Sequence, residues 1–266
     1  MLAITAAFER EVKDYLKAGS FTRVRRERGQ VAGPGAIRFY LSSAVRDVVV
    51  VVGGFGREAS GEAVRLVVEK YMPDLLVSAG FAGGAQPGLN PGEVFVCKRL
   101  LGLTGHAAYW SSNTVMEKSV RESALPYDQW NDIEIRWGSC LTVPSLVPGS
   151  YMKEWLGKTF ATDVIDMESY WVSEAADNLK VPHLILRAVF DPVEFTLPPF
   201  VAPSLGESTV RTALRAASYL IAHPGSVKGA TVLMAQAKQA TASLSRFLLN
   251  LTPTGTRVLN LAAGAR

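Results

Sequence analysis

The chain has 266 residues, of which 48% are apolar and 20% are charged, a balance that excludes a disordered protein and is typical of a globular one. We expect no membrane span, because no apolar run approaches ~18 residues, and no N-terminal signal sequence. The two cysteines, Cys97 and Cys140, make neither a disulfide framework nor a zinc pattern. These features predict a cytoplasmic protein.

The net charge of +4 suggests a nucleic-acid partner, but the distribution of charge argues against one. Residues 201–266 hold seven of the 28 basic side chains and one of the 24 acidic side chains. The positive excess therefore lies in this tail, and the first 200 residues are slightly acidic. We predict no nucleic-acid partner.

Short β-branched runs alternate with helical patterns along the first 200 residues. The predicted strands are 2–7, 37–44, 48–52, 75–78, 92–101 and 184–189, and the predicted helices are 9–18, 58–71 and 165–179. The glycine run Gly80–Gly84 is predicted as a loop. The irregular segment 102–148 is predicted to carry a loop over a site. Such alternation predicts a three-layer α/β/α sandwich around a largely parallel mixed sheet.

The basic tail has helical spacing of apolar residues over 208–222 and 228–251. Two interpretations stay open for this tail. Its helices pack on the body of the protein or on a second subunit, or they form a basic amphipathic element that contacts a membrane surface.

The segment Gly54–Ala59 fits the dinucleotide-binding pattern G-x-G-x-x-G/A, and it follows a strand and opens a helix. That pattern also requires an acid at the end of the next strand. The nearest acid, Asp74, lies before that strand. We therefore reject NAD binding, and we expect these glycines to let chain and ligand approach closely.

Acidic side chains follow several predicted strands, where open α/β sheets place their ligands. Glu9 and Glu11 follow the first strand, Asp166 and Glu168 lie at a strand-to-helix junction, and Asp191 follows strand 184–189. Each acid alone could be an ordinary helix-start charge. The order of these acids along the chain, with the glycine run between them, is more specific evidence for a ligand site than any one acid alone.

This order resembles the nucleoside phosphorylase and nucleosidase superfamily, which includes the methylthioadenosine/S-adenosylhomocysteine nucleosidases. The resemblance covers most of residues 1–198. The motifs that carry it are Ala7–Val12, Gly53–Gly56, Pro73–Gly84, Gly92-Glu93-Val94, Ile165–Glu168 and Val181–Asp191.

A finer resemblance connects the chain to the hopanoid-associated branch. It depends on Asp191-Pro192, on Leu197-Pro198-Pro199 and on the basic tail. Members of that branch are implied to remove adenine from adenosylhopane, a nucleoside attached to a pentacyclic lipid.

The superfamily resemblance implies two catalytic residues and no metal or cofactor. Asp191 would be the general acid at N7 of adenine, and Glu11 would orient and deprotonate the attacking water. An acid that works at neutral pH needs a raised pKa. Phe190 and Pro192 flank Asp191 and could supply a drier setting.

The resemblance also implies the substrate-binding residues. Glu168 would accept hydrogen bonds from the ribose hydroxyls, and Met167 would pack on the sugar. Phe55 and Phe81 would line the pocket. Gly80 and Ala82 would leave room in it.

Two departures from the superfamily pattern bear on the reaction. Where phosphorylases place an arginine and a serine or threonine for phosphate, this chain has Ser78 and Phe81, which favours water as the nucleophile. Phosphorolysis stays open, because Arg10, Arg57 or the cluster 23–28 could supply charge. Phe81 and Phe190 also replace small polar residues, a change that suits a lipidic substituent or marks altered activity.

The sequence thus predicts an adenine-nucleoside N-glycosidase with a lipid-linked substrate. We expect a homodimer or larger oligomer, peripheral at the inner membrane face through its C-terminal helices. The expected domains are a catalytic domain, 1–200, and a helical extension, 201–266. The alternatives are a soluble methylthioadenosine-type nucleosidase, a phosphorolytic enzyme and a non-catalytic nucleoside-binding protein.

Overall fold

The computed structural model describes residues 1–25, 37–104, 108–112, 135–201, 218–220 and 222–263. Most of the predicted loop 102–148 and of the predicted helix 208–222 lies outside the described residues. So does the part of the arginine cluster that follows residue 25.

Ten strands and five α-helices make up the described part of the chain. The strands are β1 Leu2–Ala6, β2 Thr22–Arg23, β3 Arg38–Leu41, β4 Val48–Val52, β5 Leu75–Gly84, β6 Val94–Leu103, β7 Ala108–Ser112, β8 Ile135–Thr142, β9 Val164–Asp166 and β10 His183–Asp191. The helices are α1 Glu9–Ala18, α2 Arg57–Tyr71, α3 Ser150–Phe160, α4 Ser169–Asn178 and α5 Val227–Ala263.

The strands form one mixed sheet in the order β10-β6-β8-β9-β5-β1-β4-β3-β2, with β7 beside β6. Strand β10 also pairs with β5, so that β5, β9, β8, β6 and β10 close on themselves. Parallel and antiparallel pairs both occur, for example β1 with β5 and β10 with β6. The carboxyl ends of β1, β5 and β10 therefore lie at one edge, which agrees with the predicted position of the acids.

The valine run of β4 shows why this sheet is covered on both faces. Val48, Val50 and Val52 lie in one buried apolar cluster, and Val49 and Val51 lie in a second one. Successive side chains of a strand point to opposite faces, so the alternation places a core on each side. Helices α1 and α5 cover the first face, and α2 and α4 cover the second.

The long C-terminal helix α5 packs against α1 and β10. Its buried apolar side chains belong to the same cluster as β1 and β4: Ala240, Leu244, Phe247, Leu248 and Leu251. The Tyr15 amide donates to Ser245 Oγ at 3.1 Å, and Thr241 Oγ1 donates to the Arg10 carbonyl at 3.2 Å. The apolar face of the predicted helix 228–251 thus packs on the body of the protein. Within the described residues, no helix is both long enough and apolar enough to cross a membrane.

Several predicted element bounds were wrong. The strands β7 and β8 lie within the segment 102–148, which was predicted to be irregular. The glycine run Gly80–Gly84, predicted as a loop, is the second half of β5, because its small residues pair with β9 and β10. The helix predicted from residue 165 begins at Ser169. Residues Val164–Asp166 are instead held as a strand between β5 and β8.

Candidate active site

The carboxyl edge of the sheet holds a cavity that is open to solvent. Glu11, from the first turn of α1, and Glu168, the residue that caps the start of α4, both line it. Ser78 and Gly80 of β5 and Arg187 of β10 complete its polar wall. Two predicted carboxyls, far apart in sequence, therefore share one cavity.

Glu11 is buried and held by backbone amides. Its Oε2 accepts from the Phe8 amide at 2.8 Å, and its Oε1 accepts from the Phe81 amide at 3.1 Å. Burial raises the pKa of Glu11 above its ordinary value, although these amides, Arg10 and Arg187 favour the charged form. A carboxyl fixed in position with a raised pKa is suited to accept a proton near neutral pH.

Glu168 is partly exposed at the cavity, and it is held by two amides as well. Its Oε1 accepts from the Gly56 amide at 3.3 Å, and its Oε2 accepts from the Met167 amide at 3.3 Å. Gly56 has φ +83°, a conformation that favours glycine. Gly56, which belongs to the rejected dinucleotide motif, thus binds this carboxyl through its amide. Burial, Asp166 and Glu11 raise the pKa of Glu168 to about 8, although Arg187 favours ionisation.

We expect Glu168→Gln to become more stable relative to the wild type as pH rises from 5 to 8. The folded pKa lies above the ordinary value of 4.5, so the stability that this carboxyl contributes at low pH is lost as pH rises through the folded pKa. The relative gain should be on the order of 2 kcal/mol, less than the full pKa difference implies because the side chain is partly exposed. Urea unfolding at several pH values measures it. Glu174→Gln, on the same helix, controls for loss of a carboxyl, and an equal trend there would contradict this expectation.

Arg187 is a buried cation in the wall of the cavity. Its Nε donates to Asp166 Oδ2 at 2.6 Å, and its Nη1 and Nη2 donate to Ser78 Oγ at 3.2 and 3.1 Å. Gly80 faces it. A methyl group added at Gly80 would lie 3.5 Å from Arg187 and 3.4 Å from Glu11 Oε1. Gly80 has no side chain to fill the space beside these two groups, so the Arg187 guanidinium and the Glu11 carboxyl both line the cavity next to it.

Asp166 balances that cation. Although burial opposes ionisation, the Arg187 guanidinium holds the pKa of Asp166 below its usual range. Thr142 Oγ1 donates to Asp166 Oδ1 at 2.7 Å, and Ser169 Oγ donates to Oδ2 at 2.6 Å. This ion pair is thus fixed from three elements, β8, α4 and β10.

A second cavity lies beside Asp166, the partner of Arg187. Asp166, Met167 and Asp191 line it, together with Val143 and Lys153. Since Met167 lines this cavity and Glu168 lines the first, the two cavities meet at adjacent residues. The predicted acid Asp191 therefore lies on one side of this junction, and Glu11 lies on the other.

Asp191 is the last residue of β10 and is buried. Burial raises its pKa to about 6, although Lys153 favours the ionised form. The Lys153 ammonium donates to Asp191 Oδ2 at 2.8 Å. Phe190 stacks on Phe81 with ring centroids 5.4 Å apart and planes 6° apart. The two apolar replacements noted in the sequence are thus in contact with each other.

Four of the predicted substrate-binding residues, Phe55, Phe81, Ala82 and Phe190, do not line either of these two cavities, as far as the described residues show. Ala82 belongs to a buried apolar cluster. Phe55 stacks on Phe8 at 5.7 Å, and Phe81 contacts the site through its amide, which binds Glu11. Their contacts with a substrate stay a prediction.

The arginines considered for phosphate have other contacts. Arg57 forms an ion pair with Glu174 at 3.6 Å and lies over the Trp171 ring at 4.5 Å. The Arg10 guanidinium lies over the Phe8 ring at 4.6 Å.

Sequence reasoning missed four polar residues of this site. Arg187 was noted only within a motif, although an arginine within a buried strand needs an acidic partner. Asp166 was noted as an acid at a strand-to-helix junction, but it was given no role. Ser78 was noted only because it stands where phosphorylases have an arginine for phosphate. Lys153 belongs to an ordinary helical pattern, and we find no signal in the sequence that marks it.

A family model for the phosphorylase superfamily matches residues 1–222, most of the chain. The chain belongs to the phosphorylase superfamily. Membership confirms the predicted fold class and the predicted enzyme class, a nucleosidase or nucleoside phosphorylase.

Relatives of this superfamily member agree with that assignment. A 5′-methylthioadenosine/S-adenosylhomocysteine nucleosidase of Listeria welshimeri is 26% identical over 174 residues, which are 59% of this chain and 74% of the relative. The same kind of enzyme from Staphylococcus epidermidis is 22% identical over 58% of this chain and 73% of its own length.

Solved structures share the fold of this superfamily member. Futalosine hydrolase of Helicobacter pylori superimposes with a TM-score of 0.66 at 14% identity, over 95% of this chain and 97% of that one. The Neisseria meningitidis 5′-methylthioadenosine/S-adenosylhomocysteine nucleosidase, in complex with methylthio-immucillin-A, gives 0.64 at 16% identity, over 94% and 97%.

Proposed function

We propose that this enzyme hydrolyses the N-glycosidic bond of adenine nucleosides and releases adenine. One observation carries the proposal. A buried carboxyl with a raised pKa, Asp191, lies in one cavity, and a second, Glu11, lies in the adjoining cavity beyond Met167 and Glu168. Cleavage of this bond needs a proton donor on the base side and a proton acceptor on the water side. The names of the relatives support a nucleoside as substrate.

Asp191 would protonate the leaving base. With a pKa of about 6, its carboxyl keeps a proton at mildly acidic pH, whereas an ordinary aspartate does not. Protonation at N7 of adenine lets the base leave as a neutral molecule when the bond between its ring nitrogen and the anomeric carbon breaks. The bonding electrons go to the base.

Glu168 and Met167 would hold the sugar at the junction of the two cavities. The ribose hydroxyls would hydrogen-bond to the Glu168 carboxyl, which would fix the sugar ring in the cavity. Met167 offers a polarisable apolar surface to the ring.

Glu11 would take the proton of the attacking water, whose oxygen bonds to the anomeric carbon. Arg187 and Ser78 lie in the same wall and would orient that water. Among the described residues that line this cavity, Arg187 is the cation, and its charge is balanced by Asp166. A phosphate dianion therefore gains little attraction from this cavity, which favours hydrolysis over phosphorolysis.

We also propose a lipid-linked adenine nucleoside such as adenosylhopane as the substrate, which would place the enzyme in hopanoid biosynthesis. The stacked Phe81 and Phe190 rings support an apolar substituent on the ribose. Val232 and Met234 are exposed on α5 near Lys228 and Lys238, which supports a peripheral membrane contact of that helix. The buried face of α5 takes no part in it.

The remaining proposals concern organisation. We propose a homodimer or larger oligomer in the cytoplasm, with a catalytic domain of residues 1–200 and a helical extension of residues 201–266. The buried face of α5 supports close packing of that extension on the body.

Adenine release from a panel of nucleosides tests the function. The panel holds methylthioadenosine, S-adenosylhomocysteine and adenosylhopane in anionic liposomes, each with and without phosphate. We expect release that does not need phosphate, and we expect Glu11→Gln to lower kcat by about 10²–10⁴-fold because the proton acceptor is lost. Liquid chromatography of adenine and of the sugar product measures both.

The matched control is Glu58→Gln, which removes an exposed first-turn acid of α2 and should leave the rate unchanged. A sugar 1-phosphate as product would replace hydrolysis by phosphorolysis. No release from any nucleoside, together with measurable adenine binding, would refute the enzyme and support a binding protein.

A further inference from the structure

Lys153 is a fully buried lysine within the helix α3. Its side chain is 1% exposed, and it enters the second cavity beside Asp191 and Met167. Its neighbours in sequence, Met152 and Trp155, are half-exposed. A lysine is almost never fully buried unless it is paired, so this inward position requires partners.

The ammonium group has three such partners. It donates to Asp191 Oδ2 at 2.8 Å, to the Pro192 carbonyl at 2.6 Å and to the Phe195 carbonyl at 2.7 Å. An ammonium group has three N–H donors and no acceptor. All three are therefore used, and Lys153 offers none to a substrate.

These bonds fix the carboxyl of Asp191 as well as the turn that follows it. With Oδ2 bound to Lys153, Oδ1 is the oxygen that would deliver a proton. Gly83 of β5 faces both groups, because a methyl group there would lie 3.4 Å from Asp191 Oδ1 and 3.5 Å from Lys153 Cδ. The strand β5 thus packs against the pair without adding charge.

Few other charges face Asp191. Among the described residues that line its cavity, Lys153 on α3 and Asp166 on β9 carry charge, and Asp166 is paired with Arg187 at 2.6 Å. Lys153 is therefore the charge that acts most directly on Asp191. Burial favours the protonated acid, and the ammonium opposes that preference.

We infer that Lys153 is a positioning residue for the proton donor, which sets the orientation of Asp191 and limits the pH range over which it is protonated. The inference deepens the proposed function and rests on it, since the role of Asp191 as the acid belongs to that proposal. Lys153 acts only through Asp191, because its donors do not reach the substrate.

The pH dependence of kcat/KM in Lys153→Gln tests this inference. Without the positive charge, burial alone acts on the Asp191 carboxyl and keeps it protonated to higher pH. The limb where activity falls with rising pH should therefore move to higher pH by at least about one pH unit. The rate at the optimum should also fall, because the carboxyl is no longer fixed. Lys158→Gln, on the exposed side of the same helix, should keep the wild-type profile. A lower rate with an unshifted limb would overturn the inference, since a purely structural role predicts that result.

A measurement on the wild-type chain keeps the inference testable if Lys153→Gln does not fold. The ¹⁵N chemical shift of the Lys153 ammonium, assigned with Asp191→Asn, should change with the same midpoint as the ¹³C signal of the Asp191 carboxyl, because the ammonium senses the ionisation of its partner. A Lys153 signal that stays constant through that titration would overturn the inference. If the wild type releases no adenine, the proposed function fails, whereas the NMR result still decides whether the ion pair controls Asp191.

Discussion

Asp191→Asn is expected to lower kcat/KM for adenine release by about 10²–10⁴-fold, the contribution usual for a general acid. An amide keeps the shape of the side chain but cannot give up a proton to the base. The wild type should lose activity as pH rises through about 6, where burial places the pKa of Asp191. The variant should lack this limb. Initial rates of adenine release from pH 4.5 to 9 measure both effects.

The comparison needs a control for folding and for loss of charge. Asp177→Asn removes an aspartate whose side chain is 61% exposed, and it should keep the wild-type rate and profile. Thermal unfolding of both variants shows whether the rates compare folded proteins, since Asp191→Asn also deprives the buried Lys153 of its anion. Full activity in a folded Asp191→Asn would refute the assignment of the acid.

Arg187→Met is expected to lower the free energy of unfolding by about 3–5 kcal/mol. The substitution removes the cation from a pair that is almost completely buried, and it leaves Asp166 with an uncompensated charge. It also leaves Ser78 Oγ without the two donors that now reach it. Urea unfolding followed by circular dichroism measures the loss.

A double-mutant cycle separates the ion pair from the packing of the side chain. Arg187→Met with Asp166→Asn should lose less stability than the sum of the two single variants, because no buried charge remains unpaired. Arg65→Met breaks exposed pairs with Glu62 and Glu69 and should cost less than about 1 kcal/mol. Additive losses in the cycle would show that the buried pair contributes no coupling.

Much of the fold follows from local sequence patterns. The bounds of Val48–Val52 and Glu9–Ala18 are those predicted, because a continuous valine run and an amphipathic helix each have a clear period. The glycine run was misassigned, since glycine usually marks a loop. Here Gly83 and Gly84 lie in a strand whose partners, β9 and β10, come more than 75 residues later.

The acids of the site could be predicted because each one ends a strand or begins a helix. Glu11, Glu168 and Asp191 lie at such positions, and the topology of an α/β sheet brings these positions to one edge. Their separation into two adjoining cavities could not be predicted. Arg187 lines one cavity and its partner Asp166 lines the other, and this pairing of β10 with the end of β9 has no local sequence pattern.

Lys153 shows the limit of sequence reasoning more sharply. Its partner Asp191 lies 38 residues away, and two more of its acceptors are backbone carbonyls, which have no sequence signature. Periodicity identifies which side of a helix is apolar, but it does not show which polar side chain enters a cavity on that side. Only the bond from Lys153 to Asp191, at the end of β10, shows that this lysine faces inward.

The position of α5 has a consequence for how the chain is made. The apolar cluster that begins with Ile4 in β1 is completed by Leu244, Phe247 and Leu248, near the other end of the chain. During synthesis, the part of this face that α5 covers therefore stays exposed until residues 240–251 have left the ribosome. A nascent chain in that state exposes apolar surface and is prone to aggregate.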